Sequence, residues 1–127
     1  AGKYGETQVL LWRRSYDVEP PALTRDDARF PGNDERYSTL SDDELPLAES
    51  LKMTVDRVRP CWEEVIAPRL AVCDTVLIAA HGNSLRALAM MLLHISPDDI
   101  VNLEIPTGSP WLIATDDRLN VISNKYL

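Results

Sequence analysis

The block Ala80–Arg86 holds the residues whose types and spacing best suit catalysis. The apolar run Thr75–Ala80 predicts a buried strand and the apolar stretch after the block predicts a helix, so His81 lies at the turn between them. Gly82 lets a ligand approach the backbone closely, and a helix that starts near Asn83 presents unpaired N–H groups and a positive dipole end to an anion. The block therefore predicts a site for phosphate chemistry, with His81 as the candidate catalytic residue.

Other interpretations of this block stay open. A histidine at the end of a buried strand can bond a backbone carbonyl and serve packing alone, although ligands of open α/β sheets bind at strand ends. Ser84 invites the interpretation of a nucleophile, but a nucleophile elbow wants a small residue two places later, where this chain has Arg86. His94, at the end of the following helix, is expected to be structural.

Two adjacent arginines, Arg13 and Arg14, end a helical pattern that is predicted over Gly5–Tyr16. In the last turn of a helix they can bond free carbonyls and complement the helix dipole. Two neighbouring guanidinium groups can equally bind phosphate or carboxylate through planar, multidentate contacts. Their position in the sequence does not decide between these roles.

The composition limits the class of protein. The 127 residues suit one domain, 45% of them are hydrophobic, and no stretch is long enough to cross a membrane. The net charge of -7 argues against a nucleic-acid partner, so a local basic cluster indicates an anion site. Cys61 and Cys73 have no CxxC spacing and are expected to be reduced thiols. Because the chain begins without a secretory signal, we expect a cytoplasmic protein with no membrane partner.

The remaining elements must position these residues. Residues 17–40 are too polar and too often interrupted by proline for regular structure, and we expect a lid-like loop there, with a plain surface excursion as the alternative. Glu49–Leu70 predicts a long helix that Pro60 kinks or divides, with Glu49 in a capping role at its start. A capping box is predicted at Ser41–Glu44, a helix at Ser84–Leu93 and the start of a short helix at Ser96–Asp99. Two strands joined by a tight turn are predicted at Trp111–Thr115 and Leu119–Ile122.

This order of elements predicts the fold class. Residues 1–127 are expected to form a single partial domain of α/β layer architecture, with a parallel or mixed sheet. A strand as uniformly apolar as Thr75–Ala80 is normally central, covered on both faces and paired with neighbours. Few other strands are predicted, so we expect that part of the sheet is missing.

Five segments, taken together and in this order, resemble the 2,3-bisphosphoglycerate-dependent phosphoglycerate mutases of the histidine phosphatase superfamily. The segments are Lys3–Glu6, Trp12–Asp17, Glu49–Leu51, Leu77–Arg86 and Pro106–Gly108. The resemblance covers nearly the whole chain. It implies a doubly wound three-layer sandwich, present incompletely here, and the interconversion of 2-phosphoglycerate and 3-phosphoglycerate in glycolysis through a phosphohistidine.

The same resemblance implies roles for particular residues. Arg13 and Arg14 resemble the family's substrate-binding arginine pair, and Gly82 and Asn83 resemble its phosphate contacts. His81 resembles the second active-site histidine, which holds the transferring phosphoryl group and is not itself phosphorylated. The implied cofactor is 2,3-bisphosphoglycerate, which primes the enzyme as phosphoryl donor, and no metal is implied. The implied partners are small-molecule phosphoglycerates, and the complete enzyme is expected to be a homo-oligomer.

The chain also departs from the family pattern. The family's nucleophile lies in an Arg-His-Gly motif and its general acid in a Glu-Arg-His-Tyr-Gly block, and neither motif occurs in the 127 residues. We therefore expect the C-terminal part of a mutase, cut at both ends and inactive by itself. Two alternatives remain open. One is a non-catalytic phosphate-binding module, and the other is a bisphosphoglycerate mutase or phosphatase of the same superfamily.

Overall fold

The computed structural model describes residues 3–127 as a set of helices with one small sheet. The helices are α1 (Glu6–Arg14), α2 (Leu51–Cys61), α3 (Ala67–Leu70) and α4 (Gly82–Leu93), and the strands are β1 (Trp111–Thr115) and β2 (Val121–Tyr126). Short 3-10 turns cover Pro31–Asn33, Glu35–Tyr37, Asp42–Glu44 and Ile100–Asn102, and a π turn covers Trp62–Ile66. Within this described part, no helix combines the length and the apolar character that crossing a membrane requires.

Helix α1 confirms the helix predicted near the start of the chain, and it ends with the arginine pair. Ser15 leaves the helix in an extended conformation while its N–H donates to the Leu11 carbonyl at 2.9 Å. Arg13 and Arg14 therefore lie in the last turn, as the sequence predicts. None of the residues of α1 is buried, so apolar packing alone holds this helix weakly.

The long helix predicted for Glu49–Leu70 is divided close to Pro60. α2 ends at Cys61, and the π turn that follows has the Ala67 N–H donating to the Trp62 carbonyl. Proline has no N–H to donate and its ring crowds the preceding turn, so the regular ladder breaks close to it. The predicted division is confirmed, one residue after the proline.

The start of α2 corrects one prediction. Ser50, and not Glu49, caps the helix, because the Ser50 side-chain oxygen accepts the Met53 N–H at 3.3 Å. The Glu49 carboxylate instead accepts two hydrogen bonds from Arg57, from Nε at 2.7 Å and from Nη2 at 2.9 Å. Serine is the better cap because its short side chain reaches the free N–H groups of the first turn directly.

The core lies between α2 and α4. Buried residues at steps of four and three on α2 give it one apolar face. Together with residues of α4 and the following 3-10 turn they form one cluster: Leu51, Val55, Val58, Ala87, Leu88 and Ile100. Ile100 is fully buried, so the turn Ile100–Asn102 is fixed against both helices. This turn also contacts α1.

The strand predicted for Thr75–Ala80 is not formed, which corrects the prediction of a parallel or mixed sheet for the described residues. The segment has no regular secondary structure, and no strand within residues 3–127 pairs with it. Ile78 packs against the core, whereas Leu77 is 89% exposed. A strand exists only with a hydrogen-bonding neighbour, and an apolar pattern does not supply one. The described part is a mixture of helices and a small sheet, consistent with a partial α/β fold.

The hairpin predicted at the end of the chain is confirmed, but its second strand begins at Val121 and not at Leu119, which has a left-handed φ of 64° and bonds the Asp116 carbonyl in the turn. β1 and β2 pair antiparallel, with Trp111 opposite Tyr126 and a bulge between Ala114 and Thr115. The rings of Trp111 and Tyr126 stack with their centroids 5.2 Å apart. The Tyr126 hydroxyl donates to the Glu104 carbonyl at 3.0 Å, which ties the hairpin to the segment after the Ile100–Asn102 turn.

Residues 17–40 contain two 3-10 turns and no α-helix or strand. Asp27 and Asp34 each bond the arginine two residues later, Arg29 and Arg36, and these contacts lower the pKa of each carboxyl to about 2. Phe30, a residue of this loop, is buried. The loop is therefore ordered mainly by contacts of its own, and its service as a lid stays a prediction.

The Glu49–Arg57 pair predicts a pH dependence of stability. The two hydrogen bonds from Arg57 lower the pKa of the Glu49 carboxyl. A carboxyl whose pKa is lower in the folded chain adds stability above its unfolded pKa, and that stability is lost as pH falls through the folded pKa. Because the pair is partly exposed, we expect Glu49→Gln to lower the free energy of unfolding by about 0.5–1 kcal/mol at pH 7. The difference from wild type should shrink to near zero at pH about 3, below the usual glutamate pKa of about 4.3.

Urea unfolding at a series of pH values measures this difference. The matched control is Glu64→Gln, which makes the same change at an exposed position of the π turn. Curves for wild type and Glu49→Gln that stay parallel from pH 7 to pH 3 would contradict the prediction.

Candidate functional site

Arg86 connects the two parts of the sequence that carry the candidate site residues. Its Nη1 donates to the Arg13 carbonyl at 3.1 Å and to Asn83 Oδ1 at 3.3 Å. Its Nη2 donates to the Arg14 carbonyl at 2.9 Å and to the Ile100 carbonyl at 2.8 Å. Arg13 and Arg14 precede Arg86 by 73 and 72 residues. One guanidinium therefore joins the end of α1, the start of α4 and the turn after α4.

The Arg86 guanidinium is a buried positive charge whose acceptors are all uncharged. The residue is 5% exposed, and its Nε is buried without a hydrogen-bond partner among residues 3–127. Burial, and then the nearby positive charge of Arg14, lower the pKa of Arg86, although an arginine stays protonated at neutral pH. Carbonyl oxygens at the end of a helix are a favourable place for a cation. No carboxylate among the described residues pairs with Arg86, so its positive charge favours an anion nearby.

The start of α4 presents hydrogen-bond donors. His81 is the N-cap of the helix, and its Nδ1 accepts the Asn83 N–H at 3.4 Å. A neutral imidazole that accepts at Nδ1 carries its proton on Nε2, so the exposed edge of the ring is a donor. Gly82 is exposed, and a Cβ built there would meet nothing within 4 Å. A ligand can therefore approach the first N–H groups of α4 from the side of Gly82.

The amide of Asn83 is oriented by Arg86. Because Oδ1 accepts from the guanidinium, Nδ2 takes the opposite position and offers two N–H donors. Asn83 therefore contributes donors of the same kind as those of Gly82 and His81. A set of donors without acceptors suits a phosphate, whose oxygens accept hydrogen bonds.

The two arginines of α1 have different surroundings. The Arg13 side chain is exposed and forms no ion pair with any described residue. The Arg14 guanidinium pairs with the Glu104 carboxylate and donates to the Leu103 carbonyl at 3.3 Å. Within residues 3–127, neither side chain bonds His81, Gly82 or Asn83 directly. The structure thus brings the backbone carbonyls of Arg13 and Arg14 close to the start of α4. Of the two guanidinium groups, that of Arg14 is paired with Glu104 and that of Arg13 has no ion-pair partner among the described residues.

Sequence reasoning missed the parts played by Arg86 and Glu104. Arg86 has a signal that could have found it, because it is the one charged residue in the sequence of α4, Gly82–Leu93. A lone arginine on an otherwise apolar helix must satisfy its donors inside the fold. Glu104 has no comparable signal, since an exposed glutamate after a turn is ordinary.

His94 and the two cysteines lie outside the candidate site. His94 ends α4 in the left-handed conformation with a φ of 52°, which is a structural position. Cys61 and Cys73 are free and exposed. In the part of the chain that the structure describes, no three His, Cys, Asp or Glu side chains are grouped in a way that could hold a metal ion.

A family model of the histidine phosphatase superfamily (branch 1) matches residues 17–124. The chain belongs to this superfamily. The match includes His81, Gly82, Asn83 and Arg86, while Arg13 and Arg14 lie just before it. Membership in the histidine phosphatase superfamily supports phosphoryl-transfer chemistry of the phosphatase or mutase type. The donor groups at the start of α4 are of the kind that such chemistry needs.

The cap formed by His81 predicts a loss of stability that is independent of any ligand. Replacement by alanine removes the acceptor for the Asn83 N–H, and because the bond is long we expect His81→Ala to lower the free energy of unfolding by about 0.5–1 kcal/mol. Asparagine caps helices well, so His81→Asn should recover most of this loss. Thermal or urea unfolding of the two variants makes the comparison. Equal losses in both would show that His81 does not cap α4.

Proposed function

We propose that this chain carries the substrate-binding half of a phosphoglycerate mutase active site. The parent enzyme interconverts 2-phosphoglycerate and 3-phosphoglycerate, as the sequence blocks imply. The observation that carries the proposal is the set of four hydrogen bonds from Arg86, which unites the arginine block with the start of α4. Two family blocks that are far apart in sequence thus contribute to one electropositive region. Superfamily membership supports the phosphoryl-transfer class of the reaction.

In this proposal, each residue binds or orients an anion. Arg13 and Arg14 neutralise the carboxylate or phosphate of the phosphoglycerate, while Gly82 and Asn83 donate N–H groups to phosphate oxygens. His81 donates from Nε2 to the transferring phosphoryl group. Phosphoryl transfer leaves little covalent work to the protein beyond positioning and neutralising charge, and these groups are suited to that task.

The residues also fit a phosphoryl end of 2,3-bisphosphoglycerate, the proposed priming cofactor. The open side of Gly82 and the buried, uncompensated charge of Arg86 suit a polyanion. When bound, this cofactor supplies the phosphoryl group that primes the enzyme. Gly82 and Asn83 would hold that group, and no metal is part of the proposal.

The remaining parts of the proposal concern what would complete the site. The Arg-His-Gly motif of the family does not occur in the 127 residues, so we propose that the nucleophilic histidine comes from a segment outside them. In the complete three-layer sandwich, Thr75–Ala80 would be a central strand, and its almost uniformly apolar sequence suits cover on both faces. We also propose a cytoplasmic homo-oligomer as the complete enzyme.

Binding and turnover by the 127-residue chain test the proposal. We expect 3-phosphoglycerate to shift the backbone amide signals of Gly82 and Asn83 in a 15N NMR titration. A coupled assay should find no conversion to 2-phosphoglycerate, because the nucleophile and the general acid are absent. Titration shifts that avoid α4 would contradict the binding site, and turnover stimulated by 2,3-bisphosphoglycerate would contradict the missing nucleophile.

The native protein separates the mutase from its alternatives. We expect its intact mass to exceed 14.3 kDa and its activity to be that of a mutase. A mass equal to that of this chain, with binding and without turnover, would indicate a non-catalytic phosphate-binding module. Faster synthesis or hydrolysis of 2,3-bisphosphoglycerate than mutase turnover would indicate the bisphosphoglycerate mutase or phosphatase.

The Arg14–Glu104 ion pair predicts that Glu104 competes with the ligand. Arg14 must give up or share its carboxylate partner to bind an anion, so Glu104→Gln should raise the affinity for 3-phosphoglycerate. Exposed ion pairs are worth about 0.2–1 kcal/mol, which corresponds to a gain of about 1.4-fold to about fivefold at low salt.

Two controls isolate this competition. Glu64→Gln makes the same charge change on the π turn and should leave affinity unchanged. In an Arg14→Ala background, Glu104→Gln should give no gain, because the cation that it releases is absent. A gain of equal size in both backgrounds would mean that Glu104 acts only through its charge.

A further inference from the structure

We propose that Arg86 is a positioning residue for the anion site and makes no contact with the anion itself. The inference rests on the proposed function and adds a residue to which the sequence blocks give no role. Arg86 holds the last carbonyls of α1 beside the start of α4 and fixes which end of the Asn83 amide faces a ligand. Its effect on binding is therefore transmitted through Arg13, Arg14 and Asn83.

The donor count of Arg86 leaves nothing for a ligand. A guanidinium has five N–H donors, of which four lie on the two terminal nitrogens. Those four have four acceptors, namely two carbonyls of α1, the Ile100 carbonyl and Asn83 Oδ1. The fifth donor, on Nε, is buried. An anion that arrives at the surface of α4 would have to break one of these bonds to reach Arg86.

The position of α1 depends strongly on this hydrogen-bond set. The helix has no buried residue, and besides its hydrogen bonds with Arg86 it contacts the turn Ile100–Asn102. Arg86 also donates to the Ile100 carbonyl of that turn, so one planar guanidinium fixes the end of α1 relative to the turn. Loss of the set would leave the arginine pair attached to the site only weakly.

Asn83 is the second residue through which Arg86 affects the binding of an anion. An amide can present either its oxygen or its NH₂ group to a ligand, and the two ends differ in sign. The Arg86 donor attracts Oδ1, which leaves Nδ2 for the phosphate. Without Arg86 the amide is free to turn its oxygen toward the anion, and an oxygen there would repel a phosphate oxygen.

The test is the affinity of the folded protein for inorganic phosphate, measured by 15N NMR titration well below the unfolding temperature. We expect Arg86→Met to weaken binding about tenfold and Arg86→Lys at least about threefold, because an ammonium cannot bond four acceptors in one plane. The matched control is Arg57→Met, which removes an arginine bonded to Glu49 away from α4. It should lower the unfolding temperature and leave phosphate affinity at the wild-type value.

The side-chain signals supply readouts that a purely structural role would not move. In wild type, phosphate should shift the Asn83 Nδ2 signals and leave the Arg86 Nε–H signal in place. In Arg86→Lys, the Asn83 Nδ2 signals should lose their response to phosphate. An Arg86 Nε–H signal that moves as much as those of Asn83 would make Arg86 a ligand and overturn the inference, even if neither variant folds.

The outcomes separate this inference from the proposed function. If wild type binds phosphate at α4 and folded Arg86→Lys binds equally well, Arg86 does not position the site, while the proposed function stands. If wild type shows no phosphate response at Gly82 or Asn83, the proposed function fails and the inference fails with it.

Discussion

The buried guanidinium of Arg86 is the interaction on which the arrangement of the site depends. Its four acceptors belong to three separate elements, and none of them carries a charge. Burying a cation is costly unless its donors are hydrogen-bonded, and the three elements together supply acceptors for four of the five donors of Arg86. The positive charge that remains uncompensated is at the same time what suits the region to an anion.

Apolar packing makes this interaction possible. The cluster between α2 and α4 includes Ile100, which is fully buried, and so places the Ile100 carbonyl within reach of Arg86. Exclusion of water by the same cluster strengthens each hydrogen bond to the guanidinium. Helix α1 contributes no buried side chain and joins the fold mainly through its carbonyl end. Packing and the polar site are therefore coupled through one residue of α4.

In this histidine phosphatase domain, the apolar segment Thr75–Ala80 has no strand partner within the described residues. The segment has the alternation of a strand, with Ile78 on the core and Leu77 exposed. The lack of a strand partner for this segment illustrates why sheets are harder to predict than helices. Helices α1 and α4 and the hairpin close their hydrogen bonds over short distances in sequence, whereas a central strand takes its partners from elsewhere.

The sequence by itself determined the local elements and the family. The spacing of apolar residues predicted α1 and α4, and turn residues predicted the hairpin. The block Ala80–Arg86 predicted a histidine at the start of a helix. Only the tertiary structure decided that Arg14 pairs with Glu104 and that Arg86 joins α1 to α4. The reason is physical: caps and periods depend on neighbours in sequence, while ion pairs and buried donors depend on which distant groups packing brings within about 3 Å.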